Sequence, residues 1–129
     1  MKSGALDVER LLDYELNSSL RYRRFVSLVL LSDQLGPLKA SLLENVIRRS
    51  DELFLLDGYA AILMSETGRV GALRAIERYK EAYLDNGDLR FVVTSYPKDG
   101  SDRETLLQTA RRRLERVKAS GRGGVVSSG

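Results

Sequence analysis

At 129 residues the chain suits one domain, whose single core can hide about two-thirds of the unfolded surface. Cys and His are both absent, which excludes disulfides, thiol nucleophiles, thiolate metal sites and imidazole general bases. Carboxylates, Lys, Arg, hydroxyls and carboxylate-bound magnesium are the chemistry that remains.

Hydrophobic residues at 43% and charged residues at 30% are those of a chain that folds. The net charge of +3 is spread among interspersed acids, so it reads as a solvated surface, and a nucleic-acid partner is not expected. The opening MKSGALDVER has no apolar signal core and no apolar run approaches the length of a bilayer span, so a cytoplasmic protein without membrane contact is expected.

From Leu6, the positions Val8, Leu12, Leu16 and Leu20 recur at helical spacing among Asp7, Glu9, Arg10, Asp13 and Glu15, predicting an amphipathic helix over 6–23. Phe25 to Leu31 is bulky or β-branched almost throughout and is bounded by Ser32-Asp33, predicting a strand buried on both faces. Gly36-Pro37 marks a loop. Pro37 suits a first helical turn, and Leu38, Leu42, Val46 and Ile47 give the stripe of a second helix. Leu53–Leu56 and Tyr59–Met64 are strand-like runs around Asp57-Gly58, predicting a hairpin with a type I′ turn, whose two central residues both need positive φ. Val70, Leu73, Ile76 and Tyr83 predict a third helix, stopped by Asp85-Asn86-Gly87.

Leu89 to Ser95 alternates like a strand, and Pro97-Lys98-Asp99-Gly100 turns the chain. Ser101-x-x-Glu104 reads as a capping box opening a fourth helix with the stripe Leu107, Ala110, Leu114 and Val117, ended by Gly121. On that helix Arg111-Arg112-Arg113, Arg116 and Lys118 span too much of a turn to share one face and read as solvated surface. Gly121-Arg122-Gly123-Gly124 is not a phosphate loop, because no GK[ST] follows it. Val125-Val126 predicts a short last strand and Ser127–Gly129 a frayed end. Helices alternating with buried strands around one hairpin predict an α/β fold with a mixed central sheet flanked by helices. The whole of 1–129 reads as one domain, with its core over about 6–122.

The hairpin and its surroundings resemble a known family. Arg48-Arg49-Ser50-Asp51, then ELFLL, then Asp57-Gly58-Tyr59-Ala60-Ala61-Ile62-Leu63 resembles the GGDEF domain of diguanylate cyclases without a gap. Thr94-Ser95-Tyr96-Pro97-Lys98-Asp99-Gly100-Ser101-Asp102 and the following helix to Lys118-Ala119-Ser120-Gly121-Arg122 resemble that family's strand, YPxDG turn and helix ending in KxxGR. Upstream, Glu15-Leu16, Leu20-Arg21-Tyr22 and Ser27 to Leu31 are similar to its first helix and first strand, so the likeness spans most of 11–122. It implies the nucleotidyl-cyclase palm, a ferredoxin-like arrangement, and a place in bacterial signalling through cyclic di-GMP.

The departures carry the functional reading. The family's five-residue signature uses two glycines to admit a GTP phosphate and then carboxylates for magnesium and catalysis. Those positions here are Asp57, Gly58, Tyr59, Ala60 and Ala61, so one glycine survives and both carboxylates are gone. The family's first strand ends in a further metal-binding aspartate, followed by a segment with ribose- and guanine-binding residues. Here Leu31-Ser32-Asp33-Gln34 runs almost directly through Leu35-Gly36-Pro37 into the next predicted element, and the substrate segment is missing. Asp33 as a lone carboxylate reads as a strand-end or capping residue. The resemblance thus implies a degenerate, non-catalytic domain with no catalytic residue, no metal and no cofactor.

Arg48-x-x-Asp51 sits where the family has its product-binding RxxD motif, five residues before the signature. Arg can fork onto phosphate or the guanine O6/N7 edge, and Asp can accept from guanine N1 and N2. The same residues also read as a helix-terminal Arg pair before a Ser-Asp turn. Arg10-Leu11-Leu12-Asp13 satisfies the pattern too, and the place where the family often adds another Arg is Leu55.

Two functions stay open. One is a cyclic di-GMP receptor acting through Arg48 and Asp51. The other is a nucleotide-independent protein-interaction scaffold exposing the loop Leu35–Leu38 and the hairpin tip Asp57–Tyr59, with Tyr59 as anchor. A protein partner is expected in either case, and a homodimer is among the arrangements left open.

Overall fold

The apolar run after Phe25 becomes the middle of the molecule. Strand β2 (Val26–Asp33) is buried at every residue but its last and pairs antiparallel with both neighbours, β4 (Tyr59–Ser65) and β5 (Leu89–Tyr96). β3 (Asp51–Leu56) completes the hairpin with β4, and β6 (Gly124–Val126) joins β5 in parallel. A two-residue strand that the sequence did not suggest, β1 (Lys2–Ser3), lies parallel on β3, so the mixed six-stranded sheet runs β1-β3-β4-β2-β5-β6. The computed structural model describes residues 2, 3, 5–22 and 24–129, with side chains over 7–18 and from 24 onward. Leu6, Leu20 and Arg23 of the first predicted helix therefore lie outside the described side chains.

Helices α1 (Ala5–Tyr22) and α3 (Arg103–Ala119) cover one face and α2 (Arg69–Tyr83) the other. Because strand residues alternate in direction, Leu28, Leu30, Phe54, Ala61, Leu63 and Val92 meet Val8, Leu12 and Leu16 of α1 and Leu106, Ala110, Leu114 and Val117 of α3. Val29, Leu31, Leu53, Ile62, Met64 and Phe91 point the other way, onto Ala72, Ala75, Ile76 and Tyr79 of α2. No described helix is long and apolar enough to cross a membrane.

The predicted helix near 38–47 does not form as an α-helix: a 3₁₀ turn at Ala40–Leu42 is followed by further turns. Three of its bonds run three residues back, Leu42 N–H to Lys39 O, Leu43 N–H to Ala40 O and Val46 N–H to Leu43 O, and only Ile47 N–H to Leu43 O runs four back. That three-residue repeat puts Ala40 and Leu43 in the core and leaves Leu42 42% exposed, where an α-helix would have buried 38, 42 and 46 together. The hairpin keeps its two-residue loop, with Leu56 opposite Tyr59, but positive φ occurs only at Gly58 (+81°) and not at Asp57, so the turn is not type I′.

The cap of α3 is Asp102 and not Ser101. Its carboxylate accepts from Thr105 N–H at 2.8 Å and Thr105 Oγ1 at 2.7 Å, one residue out of the predicted capping frame. An ionised acceptor makes the stronger bond, and these two contacts lower the Asp102 pKa. Leu106 takes the core position of that helix and Leu107 is only half-buried.

Arg113 is not solvated surface either: it is 3% exposed, because α-helical periodicity groups it with Leu106, Ala110 and Val117 while Arg111 and Arg112 point outward. Its Nη2 donates to Asp99 Oδ1 at 2.8 Å and its Nη1 to Val93 O at 2.6 Å. Burial pushes the Asp99 pKa up, but the Arg113 bond and charge and the Ser95 N–H outweigh burial and hold it below the ordinary carboxylate range.

The last three residues form no regular element but are met by arginines. Arg69 forks onto Ser127 Oγ at 3.1 and 3.3 Å, Arg116 donates to Ser128 O at 2.7 Å and Arg112 to Gly129 O at 3.0 Å. β6 comes close enough to the turn before β5 that a Cβ at Gly123 would collide with Gly87 O.

Candidate functional site

At the hairpin, side-chain direction turns the sequence change into a change of environment. Ala60 and Ala61 are both 0% exposed. Ala60 stands opposite Leu31 of β2, so the strand-to-hairpin contact is made by apolar side chains. Tyr59 and Ala61 face α1 and α3 and line an apolar cavity of about 50 Å³ with Leu28, Leu107, Ala110 and Arg111. Lys118 Nζ lies 6.0 Å over the Tyr59 ring, a cation–π contact that fixes the ring on α3.

Asp33 lies two residues beyond the Leu31–Ala60 pair, and both its oxygens are engaged. Oδ2 accepts from Tyr83 Oη at 2.8 Å, Oδ1 accepts from Leu35 N–H at 2.9 Å, and Tyr83 Oη in turn accepts from Lys39 N–H at 2.9 Å. Asp33 thus pins the short loop after β2 to the end of α2. These residues do not fit a magnesium ion: no carboxylate faces Asp33 across the hairpin, and no group of three or more acidic side chains converges among the described residues.

The RxxD segment folds as a tight turn, Asp51 N–H donating to Arg48 O at 3.0 Å, and delivers Asp51 to the first position of β3 on the face that meets α2. The carboxylate is 8% exposed, and its Oδ1 has no hydrogen-bond partner. Burial pushes its pKa up, against the charges of Arg48 and Arg78 and bonds from Arg48 and Ser50. Asp51 lines a cavity of about 460 Å³ together with Glu44, Ile47, Arg48, Arg49 and Leu53.

Arg78 is the contributor that the sequence reading missed. It reaches the electrostatic neighbourhood of Asp51 from α2, stacks 5.8 Å over the Tyr79 ring, and leaves Nη2 buried without a partner. Its only sequence signal is its place next to Tyr79, which is 0% exposed. The Tyr79 hydroxyl is also unpartnered, and burial, followed by the nearby Asp51 charge, drives its pKa upward.

The structure therefore brings Arg48 and Asp51 together on one cavity wall, with Arg78 acting on Asp51 from outside the lining, and leaves the other candidates apart. Leu55 is 37% exposed and does not line the cavity. In the competing Arg10/Asp13 pattern, Asp13 is committed to Arg103 at 3.0 Å, and Arg10 borders a different hollow with Asp7, Leu11, Tyr14 and Phe54. At the proposed interaction end, Leu35 is 76% exposed, Asp57 and Gly58 are exposed, and Tyr59 is half-buried.

No protein-family model and no curated protein matches the sequence. Solved structures do match the fold. The GGDEF domain of YfiN (TpbB) from Pseudomonas aeruginosa superposes with a TM-score of 0.86 at 15% identity, over 100% of this chain and 97% of that one. The active GGEEF domain of a diguanylate cyclase from Vibrio cholerae gives 0.77 at 14% identity, over 98% and 97%. The diguanylate cyclase SiaD from Pseudomonas aeruginosa, solved with its activator SiaC, gives 0.78 at 16% identity, over 94% of this chain and 56% of that one. With this sheet order, hairpin and helix placement, the chain has the fold of GGDEF domains.

Proposed function

We propose that this domain is a catalytically silent GGDEF-fold module that binds cyclic di-GMP at Arg48 and Asp51, with the charge of Arg78 acting on Asp51 from α2. One observation carries the reading: Asp51 is buried with an unpartnered acceptor oxygen on the wall of a cavity, near two guanidinium groups. Leaving such a group unsatisfied costs roughly 1–3 kcal/mol, and native proteins retain few of them without a use. A guanine edge supplies an N–H donor for the Oδ1 that has none, and its O6/N7 edge and the two phosphates suit a guanidinium fork from Arg48. Catalytic silence is supported by Tyr59, Ala60 and Ala61 in place of the signature carboxylates and by the engagement of both Asp33 oxygens. Titration calorimetry with cyclic di-GMP tests the reading: saturable binding is expected, and no heat at millimolar ligand overturns it.

A second reading, a protein-interaction scaffold, is favoured by Leu35 and Leu84, 76% and 82% exposed on either side of the Asp33–Tyr83 bond. Leu84 holds a left-handed backbone (φ 55°), a strained conformation for leucine. SiaD, which shares the fold, is a cyclase solved with an activator protein. Loss of a purified partner's binding on Leu35→Ser together with Leu84→Ser, with cyclic di-GMP binding intact, would establish this second use.

A further inference from the structure

At the end of the sheet opposite the hairpin turn lies a groove of about 450 Å³ that belongs to neither reading. It runs between the start of β2, the end of β5 and the first turn of α2, and it shares no lining residue with the cavity at Asp51. Two large apolar side chains stand open along it, Phe25 at 56% and Val70 at 63% exposure, and Pro97 is exposed beside them. The Phe25 ring lies over Gly68, where an added Cβ would sit 3.7 Å from Phe25 Cγ, in ordinary van der Waals contact. Tyr96 contributes to the floor at 8% exposure, and the Ser95 hydroxyl is already bonded to Ser27 Oγ at 2.7 Å. The floor thus presents apolar surface, with the Ser95 hydroxyl already engaged.

The charge around it has one sign. Among the described lining residues the only charged side chains are Arg69 and Lys98. The N-terminal end of α2, which Gly68 caps without a side-chain bond, adds partial positive charge on the same side. Glu66 nearby is paired to Arg24 at 2.6 Å. An exposed aromatic and aliphatic pair over an apolar floor marks an interaction surface, and a cationic rim selects the flanks of what docks there.

We infer that this groove receives an acidic-apolar segment of a protein partner, an aromatic or leucine side chain seated on Phe25, Val70 and Pro97 with carboxylates beside Arg69 and Lys98. The inference is independent of nucleotide binding at Asp51.

The probe is a synthetic twelve-residue peptide carrying Phe and Leu at i and i+4 with Asp and Glu elsewhere, titrated into the ¹⁵N-labelled full chain. Its lysine-flanked counterpart and vesicles of phosphatidylglycerol are run alongside. The expected result is saturable shifts at Phe25, Gly68, Val70, Gly71 and Lys98, at least tenfold weaker binding for Phe25→Ser and for Val70→Asp, and loss of the preference for the acidic peptide in Lys98→Glu, which leaves Arg69 as the one lining cation. Because Phe25, Val70 and Lys98 are exposed, these variants keep the fold, which their unchanged amide spectra would verify. Absence of binding at millimolar acidic peptide, equal binding of both peptides by the wild-type chain, or shifts confined to the α3 arginines overturns the inference. Vesicle binding that depends on Phe25 while the peptide does not bind overturns it in favour of a membrane surface.

Discussion

Replacing Asp99 with Ala removes one half of the buried pair that joins the turn after β5 to α3. The two side chains are 4% and 7% exposed, and Arg113 would keep Val93 O and Gly129 O as acceptors while losing the Asp99 carboxylate. Breaking such a pair from one side costs roughly 3–5 kcal/mol, because a charge remains buried without compensation. The Ser95 N–H, which donates to Asp99 Oδ2 at 2.8 Å, loses its acceptor as well. A domain of this size holds about 5–15 kcal/mol in total, so the variant should unfold at a much lower urea concentration. The internal control is Arg103→Ala, which breaks an exposed pair with Asp13 and should cost below about 1 kcal/mol.

The chain has no Trp, so unfolding is followed by far-ultraviolet circular dichroism. The pH dependence has a defined sign. The folded pKa of Asp99 lies below its ordinary value of 3.8, so its contribution is complete above that value and is lost as pH falls through the depressed folded pKa. Asp99→Ala should lack that part of the acid slope. Adding Arg113→Leu to Asp99→Ala should recover stability, since no buried charge then remains. Equal losses for Asp99→Ala and Arg103→Ala would refute the assignment of this pair as a buried anchor.

The hollow of about 50 Å³ beside Ala61 gives room for added methyl groups, so Ala61→Val should be tolerated, and a loss of more than about 1–3 kcal/mol in urea, as for an overpacked core, would contradict it. Incubation with GTP and magnesium or manganese should yield neither cyclic di-GMP nor a linear dinucleotide; turnover abolished by Asp33→Ala would overturn the silent reading. Cyclic di-GMP affinity should hold near neutral pH and decline in acid sooner than an ordinary carboxylate would dictate, because guanine needs ionised Asp51 and burial raises its pKa. A flat profile down to pH 4 would remove Asp51 from the contact.

The strands were legible because they are short apolar runs punctuated by turn residues, and burial on both faces left no other reading for Val26 to Leu31. The hairpin loop was equally readable from Asp57-Gly58, although its backbone type was not: Gly58 alone takes up the positive φ. The segment after β2 misled because Leu38, Leu42 and Val46 fit a helical stripe, while packing selected the three-residue repeat through Ala40 and Leu43. A run of three arginines conceals which one faces the core until the helix phase is known, so Arg113 looked like its neighbours. Arg48 and Asp51 of the candidate site were visible in the sequence. Arg78 could not be, since only the packing of α2 on β3 brings it to a carboxylate 27 positions earlier in the chain.

Calorimetric titration of the wild-type chain, Arg48→Ala, Arg78→Ala and Arg10→Ala with cyclic di-GMP tests the central claim most directly. A charge-assisted contact is worth on the order of 1.5–3 kcal/mol, so Arg48→Ala should weaken binding by roughly ten- to a hundredfold, and Arg78→Ala, which removes a charge acting on Asp51 from outside the lining, should weaken it less. Arg10→Ala, in its separate hollow on α1, should leave the affinity unchanged. Unchanged affinity in Arg48→Ala and Arg78→Ala, or its loss in Arg10→Ala alone, would contradict the account.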